Sequence, residues 1–259
     1  MTSDVTAYPF QPFNRSPPVR FDLHIHTCLS PCAELAMGPQ EIVARARAAG
    51  MDGIAVTDHQ SAKNAPAVMA CARRAGLKCL AGLEVQTAEE VHTLALFDTA
   101  EAALALTEHV YAALPKRKND PDTFGDQPVV TADEDIVEME ERLLAAGCRL
   151  TIPEVARLVH DLGGLYLAAH IDRPAFSVIS GLGAVPEGVF DALELSRTAQ
   201  VMEWTKHTAG YALTRASDAH HPGDVSRVWT EAEGEFSIAG LKDIFARRAT
   251  RPSERMTCF

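Results

Sequence analysis

Seven short apolar runs, each followed by a polar or amphipathic stretch, set the limits on what this chain can become. They are 20–26 "RFDLHIH", 53–57 "GIAVT", 78–84 "KCLAGLE", 91–97 "VHTLALF", 164–170 "GLYLAAH", 191–196 "DALELS" and 212–217 "ALTRAS", each of strand length. Helical patterns fall between and after them. "PQEIVARARAAG" has Pro39 in its first turn and Gly50 as a stop, and "APAVMACARRAG" ends at Gly76. "TAEAALALTEHVYAAL" and "IPEVARLVHDLGG" follow, and "SIAGLKDIFARRA" closes the series. Strand–helix alternation of this kind predicts a parallel sheet, open or closed into a barrel, and seven units is near a barrel count.

The length of 259 residues suits one large α/β domain or two small ones. Residues 1–19 are rich in proline and polar side chains and read as an extended arm, leaving 20–259 as a single domain. That arm lacks a basic region followed by an apolar stretch, no run is long enough to span a bilayer, and six cysteines do not form a disulfide framework. A cytoplasmic location with reduced thiols is the expectation. A net charge of −11 argues against broad nucleic-acid binding through a basic face, though not against a local pocket for a phosphate. The stretch 115–135, "PKRKNDPDTFGDQPVVTADED", breaks the rhythm as a charged loop with three prolines. It reads as a surface excursion or as a lid over a site. Thr131 and Glu134 are spaced as a capping box, which predicts a helix from there to about Ala146.

The chemistry collects where the runs end. "FDLHIH" alternates apolar Phe21, Leu23 and Ile25 with Asp22, His24 and His26, so the two imidazoles project from one face. "AVTDHQ" places Asp58 and His59 at the end of the second run, "AGLEVQ" places Glu84 at the third, and "LYLAAHIDRP" ends in His170. "TRASDAHH" ends in Asp218 and His220. In parallel α/β folds the C-terminal strand ends cluster on one side, where sites form. His92 starts its run instead, so it reaches that side only from a loop or a reversed strand, and a regular barrel is not expected.

Each of these residues alone has a plain structural explanation. A strand-end histidine is commonly just hydrogen-bonded, Asp58 reads as a helix cap and Asp218 as a turn residue. Together they do not, because six of the ten histidines gather at strand termini. Mixed imidazole and carboxylate donors suit Zn²⁺, Mn²⁺ or Fe²⁺ rather than Mg²⁺ or Ca²⁺. There are too many donors for one tetrahedral ion, so two or three divalent ions bridged by carboxylates are the economical reading.

"DLHIHT" at 22–27, "TDH" at 57–59, "GLE" at 82–84, His92, His170 in "AAHIDRP" and "SDAH" at 217–220 resemble, in order and spacing, the PHP (polymerase and histidinol phosphatase) family. The likeness covers roughly residues 20–250 and is nearest to small stand-alone phosphoesterases. It implies a distorted (β/α)7 barrel with a trinuclear metal site at the C-terminal face of the strands. By position it implies that His24, His26, Glu84 and Asp218 hold one ion, with Glu84 bridging to a second held by His92 and His170. His59, His220 and an acid from the loop after the first strand would hold a third. Many members read H-x-H-T-x-x-S-D-G, but this chain has Pro31 where that aspartate would stand. Glu34 is then the candidate acid, with Asp58 orienting a neighbouring imidazole and Asp22 also in support. Cys28 and Cys32 are the alternative loop donors, disfavoured because nothing else nearby in the sequence completes a thiolate site.

The reaction expected is hydrolysis of a small phosphomonoester, a nucleotide or an amino-alcohol phosphate, by a bridging water attacking phosphorus in line. Arg173 and Arg197 follow site strands and are candidate phosphate contacts, Arg197 being equally explained by a surface salt bridge. Asp218, His220, His207 or His221 would supply the leaving-group proton. Three rivals stand beside this reading. They are an exonuclease acting on oligonucleotide ends, a C–N hydrolase (disfavoured because no bridging lysine stands at a strand end) and a metal-stabilised binding module without catalysis.

Overall fold

The computed structural model describes residues 17–253 apart from 206, 207 and 209, so nearly all of the expected arm at 1–19, and His207, lie outside the described residues. The strands are β1 (Val19–Ile25), β2 (Gly53–His59), β3 (Lys78–Gln86), β4 (His92–Phe97), β5 (Pro128–Val130), β6 (Ile136–Met139), β7 (Leu165–Ala168), β8 (Ala192–Leu195), β9 (Ala212–Arg215), β10 (Thr230–Ala232) and β11 (Thr250–Pro252). The longer helices are α1 (Pro39–Ala48), α2 (Ala65–Arg74), α3 (Ala100–Ala113), α5 (Ile152–Asp161) and α8 (Ile238–Ala246). Single turns or little more make α4 (Pro121–Phe124), α6 (Val178–Leu182) and α7 (Val201–Trp204).

Nine strands form one sheet in the order β11-β10-β1-β2-β3-β4-β7-β8-β9. The pairs β1–β2, β2–β3, β7–β8 and β8–β9 are parallel, whereas β4 runs antiparallel to both β3 and β7. The reversed strand anticipated from His92 is therefore present. Beyond β9 the chain returns to β1: Ile25 pairs with Ala219, His26 N–H donates to Ala219 O (3.0 Å), and Ser217 N–H donates to Asp22 Oδ1 (3.0 Å). Thr230 spans the seam lower down, its Oγ1 accepting from Arg215 N (2.8 Å). The seven strands foreseen in the sequence thus curl into a nearly closed barrel, with β10 and β11 added at the seam.

Alternation along the strands gives the barrel an apolar interior that changes character at one end. Phe21, Leu23, Ala55, Leu80, Leu94, Leu96, Leu165, Leu167 and Ala192 pack together inside, closed off by Phe236 and by Ile238, Leu241 and Ile244 of α8. Each leucine, isoleucine and phenylalanine among them contributes about 1.5–3 kcal/mol by leaving water. The same inward face continues from Leu80 to Glu84, from Ala55 to His59, from Ala192 to Glu194, and from Leu96 back to His92. The apolar floor therefore carries a ring of ionisable groups. Ile42, Val43, Val68, Leu106 and Val155 cover the opposite strand faces from the helices.

The helix expected from Thr131 to Ala146 does not form. That segment holds the exposed end of the β5–β6 hairpin and irregular turns. Thr131 Oγ1 accepts from Asp133 N and Asp135 N, and Glu134 adopts φ 68°, so the capping pattern closes a turn instead. The Glu134 carboxylate accepts from Gln40 N (3.0 Å) and so caps α1, an element distant in sequence. The excursion is tied down by Glu140, which is buried. Glu140 accepts from Lys63 Nζ (2.6 Å), Tyr111 OH (2.9 Å) and Arg142 Nη1 (3.0 Å). Gly125, at φ 94°, lies so close to Pro31 that an added Cβ would stand 2.6 Å from the Pro31 carbonyl oxygen.

Candidate metal centre

Glu84 is the hub of the ring. Its Oε1 lies 3.0 Å from His92 Nδ1, 3.1 Å from His170 Nε2 and 3.4 Å from His24 Nε2. Its Oε2 lies 3.0 Å from His59 Nδ1 and 3.4 Å from His26 Nε2. Asp218 Oδ1 approaches His24 Nε2 at 3.3 Å and His26 Nε2 at 3.2 Å, and His220 stacks on His26 with ring centroids 4.1 Å apart. Six histidines and two carboxylates from across the chain therefore converge, most of them buried.

Their local geometry has visible causes. The β1–β2 register shifts between Asp22 and Ile25, a bulge that turns His24 and His26 toward the ring. His170 and Asp218 both adopt positive φ, 29° and 49°, an uncommon backbone held by its surroundings at the point where each strand gives way to a loop. Glu194, absent from the expected site, is buried and accepts from His24 Nδ1 (2.9 Å) and His170 N (3.2 Å), fixing the His24 tautomer. It was legible as a lone charge on the inward face of an apolar strand.

The supporting aspartates act at a distance from the hub. Asp58 accepts from Thr27 N, Thr27 Oγ1 and Ser30 Oγ, each at 2.7 Å, while Ser30 Oγ is 2.9 Å from His26 Nδ1. It thus steers His26 through Ser30. Asp22 joins β1 to Ser217 and Ser226, and burial pushes its carboxyl up to about 6 against the hydrogen bonds it accepts.

The other expected residues fall in three places. Arg173 reaches the ring, its Nη2 2.5 Å from Asp218 Oδ2, with the side chain 40% exposed. Arg197 pairs instead with Asp224. Glu34 pairs with His221 at 2.8 Å, both side chains more than half exposed, and the structure does not bring it into the ring. Cys32 lies against the ring with its outer side exposed: partial desolvation opposes ionisation, but His220 and His59 bring its thiol down to about 6. Phe176, also unforeseen, stacks on His92 at 4.8 Å and 19° and remains 46% exposed.

Burial alone would push the carboxyls of Glu84 and Asp218 up, yet the surrounding histidines hold both well below the usual range. Burial likewise opposes charge on His24, which Glu194, Asp218 and Glu84 nonetheless keep protonated to well above its ordinary value. His24 Nε2 and His26 Nε2 face each other at 3.1 Å, and among the described residues His170 Nδ1 is buried without a partner. Cations satisfy such a donor set better than protons do. Three groups have all their donor atoms within 4.8 Å of one another: His24, His26 and Glu84; His59, Glu84 and His92; and His26, His59 and His220. The residues present fit divalent metal.

Barrel and ring define a hydrolase built around metal-binding histidines and carboxylates. The PHP domain family profile matches residues 22–173, more than half of the chain, and the chain belongs to that family of metal-dependent enzymes acting on phosphate esters. Among solved structures it is similar to the lesion-specific endonuclease Q of Pyrococcus furiosus, at 20% identity and TM-score 0.64, over 91% of this chain and 57% of that one. Endonuclease Q bound to a 27-mer duplex with an abasic lesion at its active site is similar at 19% identity and TM-score 0.65, over 87% and 56%. A Bifidobacterium adolescentis protein assigned as a metal-dependent phosphoesterase matches at 20% identity and TM-score 0.54, over 79% and 89%. These likenesses show the fold, and the chain spans little more than half the length of the endonuclease Q chains. No curated protein sequence matches it. Among the described residues, no helix is long and apolar enough to cross a membrane.

Proposed function

We propose that this protein hydrolyses a small phosphomonoester, with a nucleotide as the substrate class. The observation that carries the reading is the Glu84 carboxylate set among five imidazoles, with Asp218 beside it and Arg173 at the open edge. Divalent ions bound there (two or three of Mn²⁺, Zn²⁺ or Fe²⁺) would lower the pKa of water and polarise phosphoryl oxygens. His24, His26, Glu84 and Asp218 would hold one ion, Glu84, His92 and His170 a second, and His59 and His220 a third. Arg173, now paired with Asp218 Oδ2, would exchange that partner for a phosphate oxygen in a charge-assisted hydrogen bond. His220 would pass a proton to the leaving oxygen only while it is not bound to an ion, and Asp218, held ionised by His24 and His26, would orient rather than protonate. Phe176 offers its solvent-facing side to a nucleobase, which favours a nucleotide over an amino-alcohol phosphate. Arg197, held by Asp224, has a structural part here.

One observation favours a second reading, an exonuclease acting on oligonucleotide ends. A cleft of about 820 Å³ is lined by Lys116, Arg117, Lys118, Arg142 and Arg149 with Glu141, and although Lys118 pairs with Glu141 and Arg142 with Glu140, it stays net basic in an acidic protein. Its 142–149 wall is bonded to the ring's own strands: Cys148 N–H donates to Gln86 O (2.9 Å), and Gln60 Nε2 donates to Ala146 O (2.8 Å). The deciding experiment offers Mn²⁺-loaded protein a panel of nucleotides and end-labelled oligonucleotides. Inorganic phosphate released from nucleotides, abolished in Glu84→Gln, is the expected result. Mononucleotides released from the oligonucleotides without free phosphate would replace the first reading by the second. A loaded protein that hydrolyses neither would leave the non-catalytic module.

A further inference from the structure

Two of the three donor groups contain the Glu84 carboxylate, whereas His26, His59 and His220 bring only imidazoles, their nitrogens within 4.8 Å of one another. A divalent cation held by neutral donors alone keeps its full charge, and an anionic ligand, from the protein or from solvent, completes such a set. Glu34 does not supply it, being turned outward onto His221. The loop that carries Glu34 places another residue at the ring.

That loop is fixed on both sides of Cys32. Ser30 Oγ meets His26 Nδ1 at 2.9 Å and accepts from His59 N at 3.1 Å, and Ala33 N–H donates back to Ser30 O at 2.9 Å. On the other side Glu34 N–H donates to His220 O at 2.9 Å. Cys32 thus sits, exposed on its outer side, in a turn anchored to all three histidines of the neutral group, with its thiol within reach of His220 and His59. Gly125 backs the neighbouring Pro31 carbonyl and holds the turn forward. Cys28, by contrast, is buried beside Asn64, with Nδ2 at 3.7 Å from its sulfur.

We infer that Cys32 is the missing anionic ligand: its Sγ, as a thiolate, joins His59 and His220 on a third divalent ion, while His26 serves the ion held with His24 and Glu84. The thiol proton leaves to solvent as the cation binds. A thiolate beside two imidazoles selects Zn²⁺ or Fe²⁺ over Mn²⁺ at this position. Three protein ligands leave a coordination position open, as in catalytic rather than structural sites. The inference rests on the metal-centre reading and refines it.

The test is Co²⁺ titration of the full-length, metal-free protein, read by absorption and bound-metal analysis. Wild type and Cys28→Ser are expected to show a near-ultraviolet sulfur-to-cobalt charge-transfer band. Cys32→Ser is expected to lose the band and one equivalent of cobalt. Cys32→Asp should regain the equivalent without the band, which separates a lost ligand from a lost fold. Cobalt bound by wild type with no such band, or a band that survives in Cys32→Ser, overturns the Cys32 assignment and leaves the metal centre standing. No cobalt bound by wild type overturns both.

Discussion

Glu194 Oε1 lies 2.9 Å from His24 Nδ1, and its own Oε2 is buried with no partner. A carboxylate behind an imidazole fixes which nitrogen carries the proton and makes the other a stronger donor. Glu194→Gln keeps the shape but removes the charge. Metal affinity, measured by competition with a chelator, should fall about 10–100-fold while far-ultraviolet circular dichroism is unchanged. An unaltered affinity would mean that His24 does not bind metal.

Removal of metal should lower the melting temperature. Ions that bind only the folded chain stabilise it, by about 2.7 kcal/mol at a hundredfold excess over Kd. Thermal melts with and without EDTA should therefore differ for the wild type and coincide for Glu84→Gln, whose hub is gone. Coincident wild-type curves would count against bound metal.

The two arginines should separate in kinetics. Arg173→Ala removes a charged contact at the open edge and should raise KM for the phosphate ester by about 10-fold or more, equivalent to about 1.5–3 kcal/mol. Arg197→Ala breaks only a partly exposed pair, worth about 0–1 kcal/mol of stability, and should leave KM alone. Equal effects on KM would remove Arg173 from substrate binding.

Glu140 gives the pH dependence a definite sign. Burial would raise its carboxyl, but bonds from Lys63, Arg142 and Tyr111 outweigh that and lower it from 4.5 to about 2. A carboxyl depressed in the folded state contributes stability above its unfolded value, and that contribution is lost as pH falls from 4.5 toward 2. Denaturant unfolding should show Glu140→Gln less stable than wild type by about 2 kcal/mol at neutral pH, the difference shrinking in acid. A gap that is constant with pH would mean the cost is steric.

Much of the barrel could be read directly, because burial imposes a two-residue period on strands and a helical one on their covers. Even the reversed strand was foreshadowed by His92 standing at the wrong end of its run. Thr131 and Glu134 misled, because a local capping pattern cannot reveal that Glu134 reaches α1. Glu34 and Cys32 are two positions apart, and which of them faces the ring depends on the turn from Ser30 to Glu34. That turn is set by a contact to His26 and by backbone contacts to His59 and His220, the last two remote in sequence. Phe176 was not legible for the same reason, since its meaning lies in what it touches, whereas Glu194 stands out in the sequence as a lone charge in an apolar run.

The reversal of β4 has one more consequence. Strands β3 and β4 form a hairpin whose short link is stapled by Thr87 N–H to Val91 O at 2.9 Å, so this quarter of the rim cannot grow a substrate loop without unseating Glu84 and His92 together. The turn bearing Cys32 and the segment from Arg173 to Phe176 are tied to the ring as well, through Ser30, Arg173 and Phe176, so the exposed β6 end of the excursion is the stretch whose length bears least on the hub.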